Sequence, residues 1–479
     1  MSSPEPVAPN KNIVKIPPAT DAGNAELFAS LYGASASVRF DHKQGRWLIW
    51  DGKRWSEDRT ERVYQLMKQT ARVRHKLAFG LLRDQDGITE EGKRQAKWAM
   101  TSEGHYRIKA ALELAKSQEP ISDDGEGWDS DPYLFGVENG VADLRTGELR
   151  PEMPEHGITK HSPISFDREA KCPRFLKFID EICCENADLA QFLQKAIGYS
   201  LTGLTTEQCF FCCNGVGANG KSTLLDVLYL IFGEYAANLP FSALELHARN
   251  RFDLVMLVGA RFVTAIETRE GVRLNEQRIK ALTGSDRITA EQKYKNAFTF
   301  SPTHKLWLAF NHPPVISDAS PSMWRRVRMV PFNREFKGGA ADKSLPTILR
   351  AEAPGILAWM VKGCLRWQSE ALGMPLAVAS ATVDYQAKSD HIEQFLEVCC
   401  EREASATVGT MALFSRYREW AEQVDELPLP IQAFTESMTK KGFQLARVGV
   451  DRSRVWRGLR LCESSPVANS ATDAARLTT

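Results

Sequence analysis

Nine consecutive residues at positions 215–223 combine the side chains and the backbone freedom that hold phosphate groups. They are Gly215, Val216, Gly217, Ala218, Asn219, Gly220, Lys221, Ser222 and Thr223. The run fits the pattern G-x-x-x-x-G-K-[ST], in which backbone N–H groups of a glycine-rich loop surround phosphate oxygens. It predicts an ATP site in which Lys221 contacts the β- and γ-phosphates and Ser222 coordinates Mg²⁺.

The residues on either side of this loop support the prediction. An apolar and aromatic run at 208–214 indicates a buried strand, and the apolar spacing at 224–232 indicates a helix. A strand, a glycine-rich loop and a helix in that order are the structural context that the phosphate-binding pattern requires. The partial positive charge at the helix N-terminus would further favour phosphate.

Two more polar residues are predicted at the ends of buried strands. Residues 261–267 read as a strand that ends in Glu267, 46 residues after Lys221. Such an acid can polarise the attacking water or hold Mg²⁺ through water, and Glu270 could assist it. Residues 305–311 read as a strand ending in Asn311, which can orient water or contact the γ-phosphate. Asn311 is equally compatible with a simple turn before His312.

Two arginines, Arg325 and Arg326, stand beside the apolar segment 327–332. The permanent charge and forked donors of arginine suit a finger that reaches the nucleotide of a neighbouring subunit. The alternative is a basic strand edge without such a role.

A hairpin is predicted between these strands, with 288–290 pairing to 297–300. Its tip would carry Lys293, Tyr294 and Lys295. Two cations and one aromatic ring suit single-stranded nucleic acid, since the ammonium groups contact phosphates and the ring stacks on a base.

Composition bounds the class of protein. The chain has 479 residues, 43% hydrophobic residues and a formal charge of +1, so overall charge does not indicate nucleic acid. The segments 286–334 and 440–460 are locally basic, although a solvated face explains such runs equally well. The ten cysteines do not suggest a disulfide framework, and Cys209 and Cys212 lack two further zinc ligands. With neither a signal peptide nor a long apolar run, we expect a cytoplasmic protein without a membrane partner.

In chain order, these segments resemble a superfamily-three helicase of the phage and plasmid type, a group that includes the helicase half of poxvirus and satellite-phage primase-helicases. The resemblance extends from about residue 24 to residue 462. It rests in the core on segments 215–223, 265–268, 282–286, 308–314 and 324–332. It rests outside the core on segments 139–147, 172–175, 389–396, 417–420, 442–443 and 456–458.

The resemblance implies an α/β phosphate-loop NTPase core of the AAA+-like type, an α/β N-terminal helicase-associated domain and a C-terminal winged-helix domain. The expected regions are a disordered tail at 1–23, the associated domain at 24–200, the core with a helical lid at 201–388, the winged-helix-like domain at 389–462 and a second tail at 463–479. Three departures stand out: Ile266 replaces a second acid, Glu291 stands where relatives often carry arginine, and only about 23 residues precede the helicase-type region, too few for a primase.

We therefore interpret the sequence as that of an ATP-driven DNA helicase of a phage, prophage or plasmid replication system in the bacterial host cytoplasm, and the resemblance implies a homo-hexamer with ATP between subunits. The resemblance implies that Lys221 and Ser222 hold nucleotide and metal, Glu267 activates water and contributes to the metal site, Asn311 senses the γ-phosphate, and Arg325 or Arg326 acts on a neighbour. Single-stranded and forked DNA would be the partners, together with a separate primase or origin-binding protein. The winged helix would contact duplex DNA through Lys440, Lys441, Arg452 and Arg454.

Two other functions remain open. The chain could be a nucleotide-gated DNA-binding protein that loads or remodels others without processive unwinding, or the helicase half of a primase-helicase with primase activity in residues 24–200. The sequence Asp129-Ser130-Asp131 is a D-x-D, but it lies in a predicted polar loop without other metal-site residues.

Overall fold

The computed structural model describes residues 16–462 apart from 82, 85–86, 249–250, 268, 292–295, 319, 337–341, 425–427 and 449–451, with the backbone alone at 83–84 and 87–88. Residues 1–15 of the first predicted tail and all of the second lie outside the described residues. Helices and strands are numbered in chain order below.

The helices are α1 (Asp21–Phe28), α2 (Arg62–Leu81), α3 (Glu90–Ser102), α4 (His105–Ala115), α5 (Pro173–Ile182), α6 (Ala187–Leu201), α7 (Lys221–Phe232), α8 (Glu276–Thr283), α9 (Pro321–Trp324), α10 (Leu345–Ala351), α11 (Ala353–Glu370), α12 (Leu376–Ser389), α13 (His391–Cys399), α14 (Thr410–Gln423) and α15 (Ile431–Lys440). The strands are β1 (Val38–Asp41), β2 (Arg46–Trp50), β3 (Trp55–Glu57), β4 (Arg83–Asp84), β5 (Gly87–Ile88), β6 (Ser122–Asp123), β7 (Leu134–Val137), β8 (Gly140–Asp143), β9 (Glu148–Arg150), β10 (Phe210–Asn214), β11 (Ala236–Asn238), β12 (Phe262–Glu267), β13 (Ile288–Ala290), β14 (Phe298–Phe300), β15 (Lys305–Phe310), β16 (Val327–Pro331), β17 (Cys400–Gly409), β18 (Gln444–Val448) and β19 (Ser453–Leu461).

A small sheet and four helices form the N-terminal part of the molecule. Strands β1, β2 and β3 make an antiparallel meander, and β6 joins β1 in parallel. The turn between β2 and β3 is tight because the Asp51 carboxylate accepts hydrogen bonds from the backbone N–H groups of Lys53 and Arg54, each at 2.9 Å. One hydrophobic core joins this sheet to α1, α2 and α4.

The start of the described chain is held by a buried arginine. The Arg74 guanidinium donates to the backbone carbonyls of Pro17 and Gly23, both at 2.8 Å, and Thr20 caps the N-terminus of α1. These contacts order residues 16–23, which we expected to belong to a disordered tail. The composition of the segment gave no sign of them, since the donor lies more than fifty residues further along the chain.

A parallel five-stranded sheet occupies the centre, with the strand order β11-β12-β15-β10-β16. Every residue of β15 is buried, as are the first four of β10. Near-continuous apolar runs of this kind are typical of parallel strands covered on both faces. Phe211 and Cys213 face one core, whereas Phe210 and Cys212 face the other, because successive side chains of a strand alternate.

The two faces of the sheet are covered by different helices. On one face α5, α6, α7 and α11 share a core that runs from Phe135 to Val378, whereas α8 and α12 pack on the opposite face. Helices α6 and α11 approach closely at Gly198, where any Cβ would collide with the Cys364 backbone. The expected domain boundary at residue 200 therefore falls inside one continuous core. Helix α6 lies almost entirely before this boundary, yet it packs on the central sheet that follows it.

Two smaller units complete the described chain. Strands β13 and β14 pair antiparallel, with Ile288 opposite Phe300, which is the predicted hairpin. The C-terminal part has α13, α14 and α15 packed on the antiparallel sheet β17-β19-β18, with Trp456 fully buried between them. Among the described residues, the helices are too short or too polar for any of them to cross a membrane.

Candidate active site

The glycine-rich loop lies between the end of β10 and the start of α7, at the carboxyl edge of the parallel sheet. Gly217 and Gly220 have φ angles of 105° and 87°, which residues with a Cβ adopt at a cost. A Cβ at Gly220 would also lie 2.7 Å from Ile182 Cγ2 and 3.0 Å from the ring of Phe178. The loop therefore needs glycine at 220 both for its backbone and for its packing on α5.

Neighbouring segments fix the shape of this loop. The side-chain amide of Asn219 is buried and donates to the Phe332 carbonyl at 3.2 Å, while the Phe336 N–H donates to the Ala218 carbonyl at 2.7 Å. Both contacts come from the chain that leaves β16, the strand beside β10. Asn219, predicted to bind nucleotide, thus also positions the loop through its side chain. The Val216 side chain is 84% exposed.

Lys221 is buried, and its ammonium group lies at the centre of the site. It donates to the Gly215 carbonyl and, at 3.2 Å, to Asn311 Oδ1. Burial lowers the pKa of Lys221, against the opposing effect of the Cys213 thiol. Ser222 follows on α7 with an exposed side chain. The structure thus brings the predicted lysine and the predicted amide together.

Glu267 ends β12, one strand further along the sheet, where it pairs in register with Phe310, the residue before Asn311. Its side chain is 5% exposed, although it is the last residue of a strand. The polar ends of β10, β12 and β15 therefore meet at one edge, as they do at ligand sites of open α/β sheets. Glu270, by contrast, is 82% exposed in its side chain, and its Oε1 lies 3.8 Å from His312 Nδ1.

Sequence reasoning missed Arg269, the cation that contacts Glu267. Its Nη2 lies 3.2 Å from Glu267 Oε2, its backbone N–H donates to Glu267 Oε1 at 2.8 Å, and its guanidinium also pairs with Glu245. These hydrogen bonds and charges raise the pKa of Arg269. The sequence has a cation two residues after the acid, but its contact with Glu267 depends on the turn after β12. Its second ion pair is with Glu245, which is distant in sequence.

Arg325 and Arg326 precede β16 and lie at the opposite edge of the sheet. Strand β16 pairs in parallel with β10, and the Phe210 N–H donates to the Arg326 carbonyl at 2.9 Å, one strand length from the glycine-rich loop. Five residues of strand span about 16 Å. The Arg325 Nη2 donates to Gln208 Oε1 at 2.9 Å, and the Arg326 Nη1 donates to the Ser322 carbonyl at 2.6 Å. Neither arginine meets Lys221 of its own chain.

The predicted DNA-contacting residues fall into three groups: those outside the described residues, those that are exposed, and Lys441, which forms ion pairs. Lys293, Tyr294 and Lys295 lie outside the described residues. Lys440, Arg452 and Arg454 are exposed. Arg447 pairs in register with Arg454 across β18 and β19, and Arg457 is also exposed, which adds two cations that we had not singled out.

Lys441 differs from its neighbours. Its Nζ lies 2.5 Å from Asp390 Oδ2 and 2.6 Å from Glu393 Oε2, and its side chain is 19% exposed. Burial lowers the pKa of Lys441, but hydrogen bonds to the two carboxylates outweigh it and raise the pKa overall. The free cation expected at this position is instead committed to the start of α13.

The fold defines a mixed α/β protein built on a parallel sheet with a glycine-rich loop at its carboxyl edge. Two family models match this chain. Residues 25–184 match the model described as D5 N terminal like, and residues 213–326 match a family of unknown function, DUF5906. The first covers the N-terminal sheet and helices up to α5, and the second runs from the end of β10 to the residue before β16.

Several similar proteins come from large DNA viruses. A protein of Acanthamoeba polyphaga mimivirus named as a putative helicase is 27% identical over 322 residues, which is 61% of this chain and 33% of that protein. A protein of African swine fever virus named as a putative primase is 24% identical over 210 residues, which is 42% of this chain and 22% of that protein. The chain thus spans a third or less of the length of these relatives.

A solved structure resembles the whole arrangement. The apo structure of the NrS-1 C-terminal region, residues 305–718, superimposes with a TM-score of 0.50 at 12% sequence identity. The match covers 88% of this chain and 95% of that one. At this identity the likeness concerns the fold. The viral relatives are named for helicase or primase, and this chain resembles them over about two fifths to three fifths of its own length.

Proposed function

We propose that this chain is an ATP-dependent DNA helicase of a phage, prophage or plasmid replication system, active as a homo-hexameric ring. The observation that carries the proposal is the meeting of Lys221, Asn311 and Glu267 at the ends of adjacent parallel strands. A cation, an amide and a carboxylate so placed suit phosphoryl transfer to water, whose transition state needs positioning and charge stabilisation.

Each residue has a defined part in this proposal. The loop N–H groups and the Lys221 ammonium bind the phosphates of ATP, which is the substrate. Asn311 shares its Oδ1 with Lys221, so it is placed to report the γ-phosphate. Glu267 accepts the proton of the attacking water, for which its carboxylate must first be released by Arg269. The exposed Ser222 hydroxyl and Glu267 would hold Mg²⁺, which would neutralise developing phosphate charge when bound.

The rest of the fold supports a ring. Strand order β11-β12-β15-β10-β16 with the loop after β10 is the arrangement we take as an AAA+-like core. Because Arg325 and Arg326 lie at the far edge of the sheet, we assign them to the nucleotide of the adjacent subunit. Helices α13 to α15 on a three-stranded sheet support a winged-helix domain, whose exposed Lys440, Arg452 and Arg454 would grip duplex DNA.

ATP hydrolysis and strand displacement test this proposal. The protein should hydrolyse ATP faster with single-stranded DNA than without, and should unwind a forked substrate. Lys221→Ala, which removes the ammonium from the phosphates, should abolish both while the thermal unfolding midpoint stays near wild type. Hydrolysis without unwinding would favour a nucleotide-gated loader. Wild-type turnover in Lys221→Ala would refute the nucleotide site itself.

A further inference from the structure

A cleft of about 1000 Å³ lies between the N-terminal sheet and the β13–β14 hairpin, away from the residues assigned to catalysis. One wall carries Trp55, Trp128 and Lys160, which belong to the N-terminal half of the chain. The other wall carries Arg287, which precedes β13, and Phe298, which begins β14. The cleft thus has a wall from each of two units of the protein.

The acidic and basic side chains that line this cleft differ in whether they have partners within the protein. Its five carboxylates are engaged within the protein. Four of them form ion pairs: Asp41 with Arg46, Glu126 with Lys43, Glu234 with Arg54 and Glu57 with Arg59; the fifth, Asp129, accepts two hydrogen bonds from Thr159. Among the described residues, Lys160 and Arg287 have no carboxylate within ion-pair distance. Lys160 donates only to the Glu234 carbonyl, at 3.3 Å. These two cations therefore remain available to an anion.

Aromatic rings accompany these two cations. The rings of Trp55 and Trp128 meet edge to face at 5.4 Å, and Phe298 and Phe300 lie 6.2 Å apart across the other wall. Trp128 and Phe298 are only half-buried, so each ring keeps an accessible part. The indole N–H of Trp128 is buried and, among the described residues, has no hydrogen-bond acceptor. Such a donor is costly to bury unless a ligand completes it.

We propose that this cleft is a second binding site for single-stranded DNA, with Lys160 and Arg287 on phosphates and Phe298 and Trp128 stacked against bases. The inference rests on the proposed function, since it extends the DNA path from the hairpin tip. Arg287 directly precedes β13, and Phe298 is the first residue of β14, the second strand of the hairpin. A DNA strand that follows the described part of the hairpin would therefore enter the cleft.

The chemistry fits this class of ligand better than a compact one. Base–aromatic stacking tolerates any sequence, and a groove with spaced cations follows a phosphate backbone. The volume equals the upper end of the range for small-molecule sites, which suits more than one nucleotide unit.

Binding to a fluorescent oligo-dT strand at several salt concentrations tests the proposal. The full-length double variant Lys160→Met with Arg287→Gln removes both charges, and methionine preserves the lysine stem that packs beside Gly259. Affinity should fall, and the slope of log affinity against log salt should flatten by about 1.4, at about 0.7 for each lost contact. The matched control Lys97→Gln with Lys109→Gln removes two exposed charges from α3 and α4 and should change neither quantity.

A second pair of variants separates binding from folding. Phe298→Ala should weaken oligo-dT binding by about tenfold through lost stacking. Phe298→Tyr keeps an aromatic ring and should bind as tightly as wild type. Suppose that wild type binds the strand, that the charge variant binds as tightly as the α3 and α4 lysine control, and that Phe298→Ala binds as tightly as Phe298→Tyr. The cleft assignment is then wrong and the proposed function stands. If wild type binds no single-stranded DNA, both fail.

Discussion

The carboxylate of Glu267 has an unusual environment for the last residue of a strand. It is almost fully buried, its partner Arg269 is two residues away, and that arginine is shared with Glu245. A carboxylate held in this way is oriented by its partner, but it is also occupied. Water activation at this position therefore depends on where the Arg269 side chain lies.

Replacement of Glu267 by glutamine separates chemistry from nucleotide binding. Glu267→Gln keeps the size of the side chain but removes its basicity, so turnover should fall by about two orders of magnitude or more while ATP still binds. Steady-state hydrolysis and titration with a fluorescent ATP analogue measure the two effects.

The matched control is Glu270→Gln, which removes a carboxylate that is 82% exposed three residues further on. It should retain turnover close to wild type. The opposite result, a slow Glu270→Gln and an active Glu267→Gln, would transfer the role of base to Glu270.

At the scale of helices and strands, the sequence predicts what local pattern determines. Apolar runs predicted β10, β12 and β15 with polar residues at or just after their ends, and the parallel pairing in the structure brings those ends together. The Lys441 ion pairs could not be predicted in this way, because Asp390 lies 51 residues before it in the chain. The ordering of residues 16–23 by Arg74 was missed for the same reason.

The C-terminal unit offers a comparison of two adjacent lysines. Lys441→Met leaves Asp390 and Glu393 without their shared cation, so it should lower the free energy of unfolding by about 1 kcal/mol. Lys440→Met removes an exposed charge and should weaken duplex DNA binding with little change in stability. Urea unfolding and duplex titrations distinguish them. Equal stability of the two variants would contradict the role given to Lys441.

A histidine directly before strand β15 also makes the free energy of unfolding depend on pH. His304, which precedes it, is 2% exposed, and burial lowers its pKa to about 3, whereas an unfolded histidine has a pKa near 6.5. Between these values the unfolded chain binds a proton that the folded chain does not. The free energy of unfolding should therefore fall as pH falls below about 6.5, by about 1 kcal/mol per pH unit from this residue.

Urea unfolding at pH 7, 6 and 5 measures this contribution when wild type is compared with His304→Asn, which cannot titrate. The variant should lose less stability than wild type over the same interval. Parallel losses would show that other groups govern the acid sensitivity.

At the scale of the whole molecule, the glycine-rich loop and the two arginines lie at opposite ends of the sheet strands of one chain. The loop follows the carboxyl end of β10, and Arg325 and Arg326 precede the amino end of β16. If these arginines act on a neighbour, subunits with Arg326→Ala should bind ATP but hydrolyse little. Mixing them with Lys221→Ala subunits should restore part of the activity, because some interfaces then pair an intact loop with an intact arginine. Hydrolysis is measured over a range of mixing ratios.

The same mixing experiment with Arg325→Ala identifies which arginine is required. Mixed assembly must be verified with differently tagged subunits. No recovery of hydrolysis in rings shown to contain both variants would contradict a role in trans for the arginine tested.

Helix α11 is made by the ribosome long after α6, yet the two share one core against the sheet. At about 5–20 residues per second, the chain between residues 201 and 378 takes roughly 10–35 s to emerge. During that time the apolar faces of α5 and α6, and then those of α7 and the strands as they are made, lack the cover that α11 provides. Nascent chains of this protein would therefore depend on chaperones until α11 arrives, and a ribosome stalled before Ala353 would release an aggregation-prone fragment.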